Sequence, residues 1–217
     1  MGRAKRLKLG TAIRQGQLAA AAAELLAAGG LKALTCSALA RRVGVVPADI
    51  YRHFRSKGQV VAAAVGIIRA RVLANAAAAR AGSADPAEQL RLMVERQAAL
   101  VRSSPGLPRF LFSEGLFGED PRRRAAVREL VETLLGEVRG IVEAGQRAGR
   151  IRRDLDAAAL AVMFLGLFQP SAMMWHLTGR RFDMGRQIAA TWRAFSSGII
   201  PARGARARSR ARGGKGP

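Results

Sequence analysis

Residues 35–57, TCSALARRVGVVPADIYRHFRSK, contain the pattern that decides the fold of this chain. Thr35 can cap a short helix to about Val43, because its hydroxyl can accept a hydrogen bond from a free amide of the first turn. Gly44 ends that helix and permits a tight turn. Pro47 suits the first position of the next helix, where a missing amide proton costs nothing. The stretch therefore predicts two short helices joined by a glycine turn.

The side chains of this motif divide into a buried set and an outward set. Spacing brings one apolar group together as a small core: Leu39, Ala40, Val43, Val45, Ile50 and Phe54. The second helix then faces outward with Pro47, Ala48, Asp49, Arg52 and His53. A short helix presented by its N-terminal end can enter the major groove of DNA. Tyr51, His53 and Lys57 could then donate to phosphates, and Thr35 and Ser37 could reach the DNA backbone from the preceding helix.

An ordinary surface helix in a helical bundle is the alternative interpretation of this stretch. Composition argues against it, because the only Tyr of the chain and one of its two His fall within residues 47–54. Scarce polar aromatic residues are thus concentrated in the segment that would face DNA.

With this motif the chain resembles the TetR family of bacterial transcriptional regulators. The resemblance rests on Leu39-Ala40, on Gly44-Val45 and on the run IYRHFRSK at residues 50–57, placed after a first helix of the usual length. It implies a homodimer with a DNA-binding domain at the N-terminus and a helical regulatory domain after it. It also implies two sets of DNA contacts. Phosphates would be contacted by Thr35, Tyr51, His53 and Lys57. The bases would be read by Pro47, Ala48, Asp49 and Arg52.

Three positions in the motif depart from the family pattern. Val46 stands where the family usually has Ser or Thr, so this DNA-facing position lacks the side chain that usually caps the recognition helix. Pro47 partly compensates, because it pre-sets the turn. Ala48 replaces a frequent Gly, and Asp49 replaces a frequent Thr or Ser. Phosphates repel a carboxylate unless it accepts from a cytosine amino group. Asp49 could instead simply favour the helix N-terminus.

Charge favours a polyanionic partner. The chain has 37 Lys and Arg against 15 Asp and Glu, a formal net charge of +22 over 217 residues. Such a surplus predicts attraction to nucleic acid or to an anionic membrane surface. Eleven of these surplus charges lie in residues 1–14 and 201–217, which contain no acid. The tail is expected to be disordered, as either a solubilising extension or a non-specific nucleic-acid tether.

Apolar residues recur every three or four positions between the basic ends, and strand signals are almost absent, so we expect an all-α protein of about nine helices. The predicted organisation is a basic N-terminal arm at 1–11, a three-helix helix-turn-helix domain at 12–56, a ligand-binding and dimerisation domain at 57–200, and a basic tail at 201–217. No window of 18 strongly apolar residues is expected, so no membrane span is predicted.

The regulatory half resembles the family only in the number and order of helices. By the family pattern, helices 156–177 and 183–197 should form the dimer interface, with a kink or break at Pro170. Their apolar side chains could instead close the core of the subunit: Leu160, Met163, Phe164, Leu167, Phe168, Ile188, Trp192 and Phe195.

A pocket for a small apolar effector would lie between the helices of this half. Candidates for its lining are Phe110, Phe112, Phe117, Met163, Met173, Met174, Trp175 and His176. Core packing explains any one of them equally well, and His176, the possible polar anchor, could be capped or solvated. Arg122-Arg123-Arg124 is predicted to be a solvated face, and Cys36 to be a packing residue rather than a redox sensor.

Other classes of protein receive little support from the sequence. One Cys cannot form an internal disulfide, and no Cys/His spacing of the zinc type is present. A phosphate-binding glycine loop and a nucleophile near a His outside the motif are also missing, so neither an enzyme nor a cofactor is expected. The sequence predicts a cytoplasmic, nucleoid-associated repressor that binds a pseudo-palindromic operator and leaves it with its effector. The alternative is a related DNA-binding protein without an effector, acting in chromosome organisation.

Overall fold

The computed structural model describes residues 2–111 and 120–201, without the side chains of residues 2–10 and 109. Within these residues the chain is helical and has no strand, which confirms the all-α prediction. The helices are α1 (Gly2–Gly29), α2 (Cys36–Val43), α3 (Pro47–His53), α4 (Lys57–Gly82), α5 (Pro86–Ser103), α6 (Gly106–Arg109), α7 (Pro121–Arg147), α8 (Ala157–Gly166), α9 (Gln169–Leu177) and α10 (Met184–Ile199).

Helix α1 is longer than predicted. It begins at Gly2 rather than at residue 12, so the segment expected to be a basic arm is helical. The reason is composition, because Leu, Ala, Lys and Arg fill most of residues 3–9 and all four favour helix. The predicted basic tail, apart from Pro201, lies outside the described residues.

The predicted break at Pro170 is confirmed. Helix α8 ends at Gly166, and Pro170 lies in the first turn of α9, where it needs no amide proton. Asp156 begins the pair of helices, since its Oδ1 accepts a hydrogen bond from the amide of Ala159 at 2.6 Å. The rings of Phe164 and Phe168 meet edge to face across the break, with centroids 6.2 Å apart.

The chain forms two compact units. Of the described residues, the first contains 2–74, 99–111 and 120–134, and the second contains 75–98 and 135–201. The first unit extends past residue 56 because Val61 and Val65 of α4 are buried. The functional division at 56/57 therefore stays a prediction.

The core of the first unit forms around α1. Its buried side chains include Leu18, Ala22 and Leu26 of α1, Leu39 of α2 and Ile50 of α3. Helix α6 packs on the C-terminal end of α1 without intervening side chains. An ideal Cβ on Gly106 would lie 2.3 Å from the nitrogen of Gly30 and 2.5 Å from the carbonyl oxygen of Leu26. Only glycine fits at that contact.

In the second unit, the core combines apolar residues of α5, α7, α8 and α10. They include Leu90, Met93, Val138, Ile141, Phe164, Ile188, Phe195 and Ile199. Arg152, in the turn after α7, fixes the end of α10: its amide donates to the carbonyl of Ile199 at 2.9 Å and its Nη1 to that of Gly198 at 3.1 Å. An exposed ion pair of Arg80 with Glu137 and a half-buried ion pair of Arg150 with Asp85 add contacts between these helices and turns.

Two helical stretches pass the length and composition test for a membrane span, so the prediction that no apolar window reaches 18 residues is wrong. They are Lys57–Gly82 and Ala157–Leu177, each with a mean hydropathy of 1.6. Abundant Ala raises the hydropathy without adding the bulk of Leu or Phe. Core helices of globular proteins pass the same test: α4 buries Val61 and Val65, and the second stretch is broken between α8 and α9.

Candidate nucleic-acid interface

Helix α2 begins and ends as its sequence predicts. The Thr35 hydroxyl accepts a hydrogen bond from the amide of Ala38 at 3.1 Å. Gly44 ends the helix in the left-handed region, with φ of 73° and ψ of 38°. Glycine adopts this conformation without steric cost, so the chain can reverse towards α3. The amide of Val45 then donates to the carbonyl of Ala40 at 3.0 Å.

Helix α3 starts without a side-chain cap, as its sequence predicts. Val46 is the residue before the helix and makes no capping bond, while Pro47 occupies the first turn. The inward face carries Ile50 and Phe54, both buried. Of the predicted small core, Leu39, Ala40, Ile50 and Phe54 are buried, whereas Val43 and Val45 are half-buried.

The outer surface of α3 matches the predicted division. Val46 and Tyr51 are each 60% exposed. Pro47, Ala48 and Arg52 are also exposed, while Asp49 and His53 are half-buried. The carboxylate of Asp49 lies 3.6 Å from Nη1 of Arg52, so the acid and the base of the predicted reading face form an exposed ion pair.

Two contacts that sequence reasoning missed fix α1 against the motif. The side-chain amide of Gln15 donates to the carbonyl of His53, at the last residue of α3, at 2.9 Å. The guanidinium of Arg42 pairs with the carboxylate of Glu24 at 2.6 Å and joins α2 to α1. Helical periodicity places all four residues on outer faces but carries no signal for their pairing.

Cys36 lies against the predicted phosphate contact Tyr51. Its Sγ is 3.3 Å from the Tyr51 hydroxyl, and either atom can be the donor. This hydrogen bond, the charge of the Cys36 side chain and slight desolvation raise the pKa of Tyr51 above its ordinary value. The contact gives Cys36 a polar partner that the sequence did not indicate.

Three of the predicted phosphate contacts share one cleft. Thr35, Tyr51 and Lys57 line its rim together with Cys36 and Ser56, and the cleft is small, with a volume of about 20 Å³. The floor is apolar and consists of Leu34, Leu39, Ile50, Phe54 and Val60. The fold therefore gathers residues from α2, α3 and α4 at one place. Ser37 is exposed in the first turn of α2.

A capping arrangement holds the start of α4, where Lys57 is exposed. The Ser56 hydroxyl accepts from the amide of Gln59 at 3.2 Å, and Oε1 of Gln59 accepts from the amide of Arg55 at 2.7 Å. Such reciprocal bonds satisfy free amides of the first turn and fix the direction in which the chain enters the helix.

His53 differs from the other predicted phosphate contacts. Its Nδ1 is buried and has no hydrogen-bond partner within the described part of the chain. Its second ring nitrogen, Nε2, therefore remains as the candidate phosphate donor. The pattern of the sequence does not distinguish the two nitrogens.

The predicted effector-binding residues that the structure describes belong to two different compact units. Phe110 is buried in the first unit, whereas Met163, Met173, Met174, Trp175 and His176 belong to the second. Phe112 and Phe117 lie outside the described residues. Trp175 and His176 are half-buried, and the guanidinium of Arg180 lies 5.4 Å from the centre of a Trp175 ring. No group of three or more His, Cys, Asp or Glu among the described residues could hold a metal ion.

The exposed apolar side chains of α8 and α9 include the three methionines of that set. The side chain of Met163 is 57% exposed, that of Met173 is 51% exposed and that of Leu177 is 73% exposed. Val162 and Met174 are exposed as well. Most of the other apolar residues predicted for a dimer interface are buried within the subunit: Leu160, Phe164, Leu167, Phe168, Ile188 and Phe195. Trp192 is half-buried. The six buried residues therefore close the core of the subunit, which is the alternative that the sequence offers to a place in the interface.

Comparison with known proteins covers both halves of the chain. Residues 18–64 match the sequence profile described as bacterial regulatory proteins, tetR family, and residues 86–191 match the profile of a tetracyclin repressor-like C-terminal domain. The nucleoid occlusion factor SlmA of Vibrio vulnificus is 26% identical over 187 residues, which cover 86% of this chain and 95% of the relative.

Solved structures share the same fold. A transcriptional regulator of the TetR family from Agrobacterium tumefaciens superposes with a TM-score of 0.74 at 22% identity, covering 88% of this chain and all of that one. The transcriptional regulator FadR from Bacillus subtilis, in complex with stearoyl-CoA, superposes with a TM-score of 0.68 at 22% identity, covering 84% of this chain and 98% of that one.

Proposed function

The chain belongs to the TetR family of DNA-binding bacterial regulators, and from this premise we propose that it is a ligand-responsive repressor. It binds a pseudo-palindromic operator as a homodimer and leaves the operator when a small apolar effector binds. We place it in the cytoplasm, associated with the nucleoid. The observation that carries the proposal is the shared cleft of Thr35, Tyr51 and Lys57 beside the exposed face of α3.

Contacts to DNA divide into two kinds on this surface. Thr35, Ser37 and Lys57 border α3, Tyr51 lies at the edge of α3 next to Cys36, and the four supply hydroxyl and ammonium donors that suit phosphates. Arg52 stands on the exposed side of α3, where a guanidinium can bind the edge of a guanine through two hydrogen bonds. The flanks therefore position the protein, and α3 selects the sequence.

We assign the dimer interface to the exposed apolar surface of α8 and α9. A soluble subunit rarely leaves several large apolar side chains together in water, and Met163, Met173 and Leu177 are each more than half exposed. Pairing two copies through this surface would bury it on both subunits, as an isologous interface requires. Two recognition helices would then meet half-sites about 34–36 Å apart on one face of DNA.

The proposed effector is a long apolar molecule. The FadR structure contains stearoyl-CoA, which makes an acyl-CoA a suitable first probe for this chain. An effector can release the operator only if it binds the DNA-free arrangement of the dimer more tightly than the DNA-bound one. Its site would therefore lie in the regulatory half, away from α3.

Selection of duplexes from a random library by the purified full chain tests this function. We expect an enriched pseudo-palindrome, and we expect stearoyl-CoA to release it while coenzyme A alone does not. Failure to enrich any sequence would contradict operator recognition. Enrichment without release by stearoyl-CoA would remove this acyl-CoA as an effector and leave the operator-binding role intact.

A second candidate function is chromosome organisation without a small effector. Its support is the similarity to SlmA of Vibrio vulnificus, a nucleoid occlusion factor, over 86% of this chain. The two functions differ in where the protein binds in the cell. A repressor should occupy a few sites at promoters, whereas a chromosome-organising protein should occupy many sites spread along the chromosome. Chromatin immunoprecipitation with sequencing distinguishes these distributions.

A further inference from the structure

We propose that Arg122, at the start of α7, belongs to the DNA-contacting surface and binds a backbone phosphate next to the one bound by Lys57. The inference rests on the DNA-binding function and extends its surface beyond the helix-turn-helix. Sequence reasoning predicted a solvated face at this arginine, because nothing in the pattern connects α7 to the motif.

The first observation is a direct contact with the start of α4. Nη1 of Arg122 donates to the hydroxyl of Ser56 at 3.4 Å, although the two residues are 66 positions apart in the chain. Ser56 is the capping residue immediately before Lys57, and both line the cleft that contains Thr35 and Tyr51. The guanidinium of Arg122 therefore lies beside the predicted row of phosphate contacts.

A second observation fixes the start of α7 against α4. An ideal Cβ on Gly58 would lie 2.1 Å from Oδ2 of Asp120, so this approach requires glycine or a displaced carboxylate. The other oxygen of Asp120 accepts from the amide of Arg122 at 2.9 Å and holds the first turn of α7. The position of Arg122 is thus set by its backbone as well as by its contact with Ser56.

The charge at this junction is strongly positive. Arg55, Lys57, Arg122 and Arg124 are all exposed, and no carboxylate of the described residues forms an ion pair with any of them. Asp120, the acid described at this junction, forms an ion pair with Arg123, in which Oδ2 of Asp120 lies 3.5 Å from Nε of Arg123. Arg55 and Lys57 flank Ser56, the hydrogen-bond partner of Arg122, so these three like charges repel one another in the free protein. A phosphate placed among them would relieve that repulsion and release counterions from the DNA.

A purely structural role for Arg122 would be to hold α7 on α4 through Ser56. The two roles predict different results for a change that keeps the charge. Lysine cannot reproduce the planar guanidinium contact, but it supplies one positive charge that can pair with a phosphate. Arg122→Lys therefore retains a phosphate contact, whereas Arg122→Gln loses it.

The test measures the affinity of the full chain for a short mixed-sequence duplex by fluorescence anisotropy, over a range of salt concentrations. Arg122→Gln should reduce the magnitude of the slope of log K against log salt by about 1.8, one phosphate contact in each subunit of the dimer, equivalent to about 60-fold weaker binding at 0.1 M salt relative to 1 M. Arg122→Lys should keep the wild-type slope. Arg128→Gln is the matched control, because Arg128 is an exposed arginine of the same helix paired with Glu132.

The outcomes separate this inference from the function on which it rests. An unchanged slope in Arg122→Gln, or an equal change in Arg128→Gln, would overturn the role of Arg122 and leave DNA binding intact. Equal losses in Arg122→Gln and Arg122→Lys would assign Arg122 to packing on Ser56. Absence of salt-dependent binding by the wild-type chain would contradict the DNA-binding function itself.

Discussion

The thiol of Cys36 lies 3.3 Å from the hydroxyl of Tyr51, and this contact joins the first turn of α2 to the outer face of α3. Tyr51 is 60% exposed, so its ring has few packing partners to fix its direction. A hydrogen bond to Cys36 restricts the rotation of that ring and places its hydroxyl on the rim of the cleft. Cys36 therefore fixes the direction of Tyr51, a residue that we propose as a phosphate donor.

Replacing Cys36 with Ala should lower the pKa of Tyr51 towards its ordinary value near 10, because the hydrogen bond and the charge of Cys36 are the main causes of its elevation. Since the chain contains a single Tyr, the absorbance of tyrosinate in a pH titration reports this residue alone. Cys36→Ser keeps a hydrogen-bonding partner and should retain part of the shift. Identical titrations of the wild type and Cys36→Ala would refute the contact.

The raised pKa of Tyr51 also gives the sign of a stability change. Between the unfolded and the folded pKa, the folded chain binds more protons than the unfolded one. This contribution to the free energy of unfolding is therefore complete below the ordinary Tyr value and is lost as the pH rises through the higher folded value. In Cys36→Ala that alkaline loss should shrink.

Asp49→Asn should strengthen binding to mixed-sequence DNA by about two- to five-fold, the size expected for one exposed charge interaction. The substitution removes a carboxylate that phosphates repel and frees Arg52 from its ion pair. Glu132→Gln makes the same change of net charge on α7, away from the motif, and should have a smaller effect. Competition binding measures both. Weaker binding of Asp49→Asn to every duplex would show that the carboxylate is needed on this face.

Gly106→Ala should lower the free energy of unfolding by about 1–3 kcal/mol, the usual cost of overpacking a well-packed contact. The added methyl would meet backbone atoms of Gly30 and Leu26, which cannot move as a side chain can. Urea denaturation measures the change. Gly66→Ala is the control within the same unit, since nothing lies within 4 Å of its added Cβ. It should be neutral or should stabilise by about 0.5–1 kcal/mol. Equal effects of the two substitutions would contradict the packing of α6 on α1.

Deletion of residues 202–217 should flatten the salt dependence of DNA binding without changing the preferred sequence. The segment contains Arg203, Arg206, Arg208, Arg210, Arg212 and Lys215 and no acid. If all six contact phosphates in both subunits of the dimer, the magnitude of the slope of log K against log salt should fall by about 11. Anisotropy titrations with the selected operator and with a mixed-sequence duplex measure both quantities. A lost sequence preference would show that the tail reads DNA.

Local signals in the sequence were sufficient for the motif and its caps. Thr35, Gly44 and Pro47 each act within one helical turn, so their roles follow from residue type and position. Pro170 similarly predicted the break between α8 and α9. The start of α1 was missed because its basic residues were assigned to an arm, although they favour helix.

Contacts between distant segments could not be predicted in the same way. Helical periodicity tells which face is apolar, but the pairing of Cys36 with Tyr51 depends on how α2 crosses α3. The contact of Arg122 with Ser56 depends on where α7 starts relative to α4. The sequence offers Met163 both as a pocket residue and as an interface residue, and Met173 as a pocket or core residue, and only the exposure of both side chains favours the interface.

The most direct test of the central claim, that α3 reads DNA while its flanks hold the phosphates, compares Lys57→Ala with Arg52→Ala. The measurement is the affinity of each dimer for the selected operator and for its singly substituted variants. Lys57→Ala should weaken binding to all duplexes alike and reduce the magnitude of the salt slope by about 2, one contact in each subunit, whereas Arg52→Ala should cost about 1–3 kcal/mol per half-site and relax the preference at one base pair of each half-site. Wild-type affinity and preference in both variants, with the dimer intact, would contradict the claim.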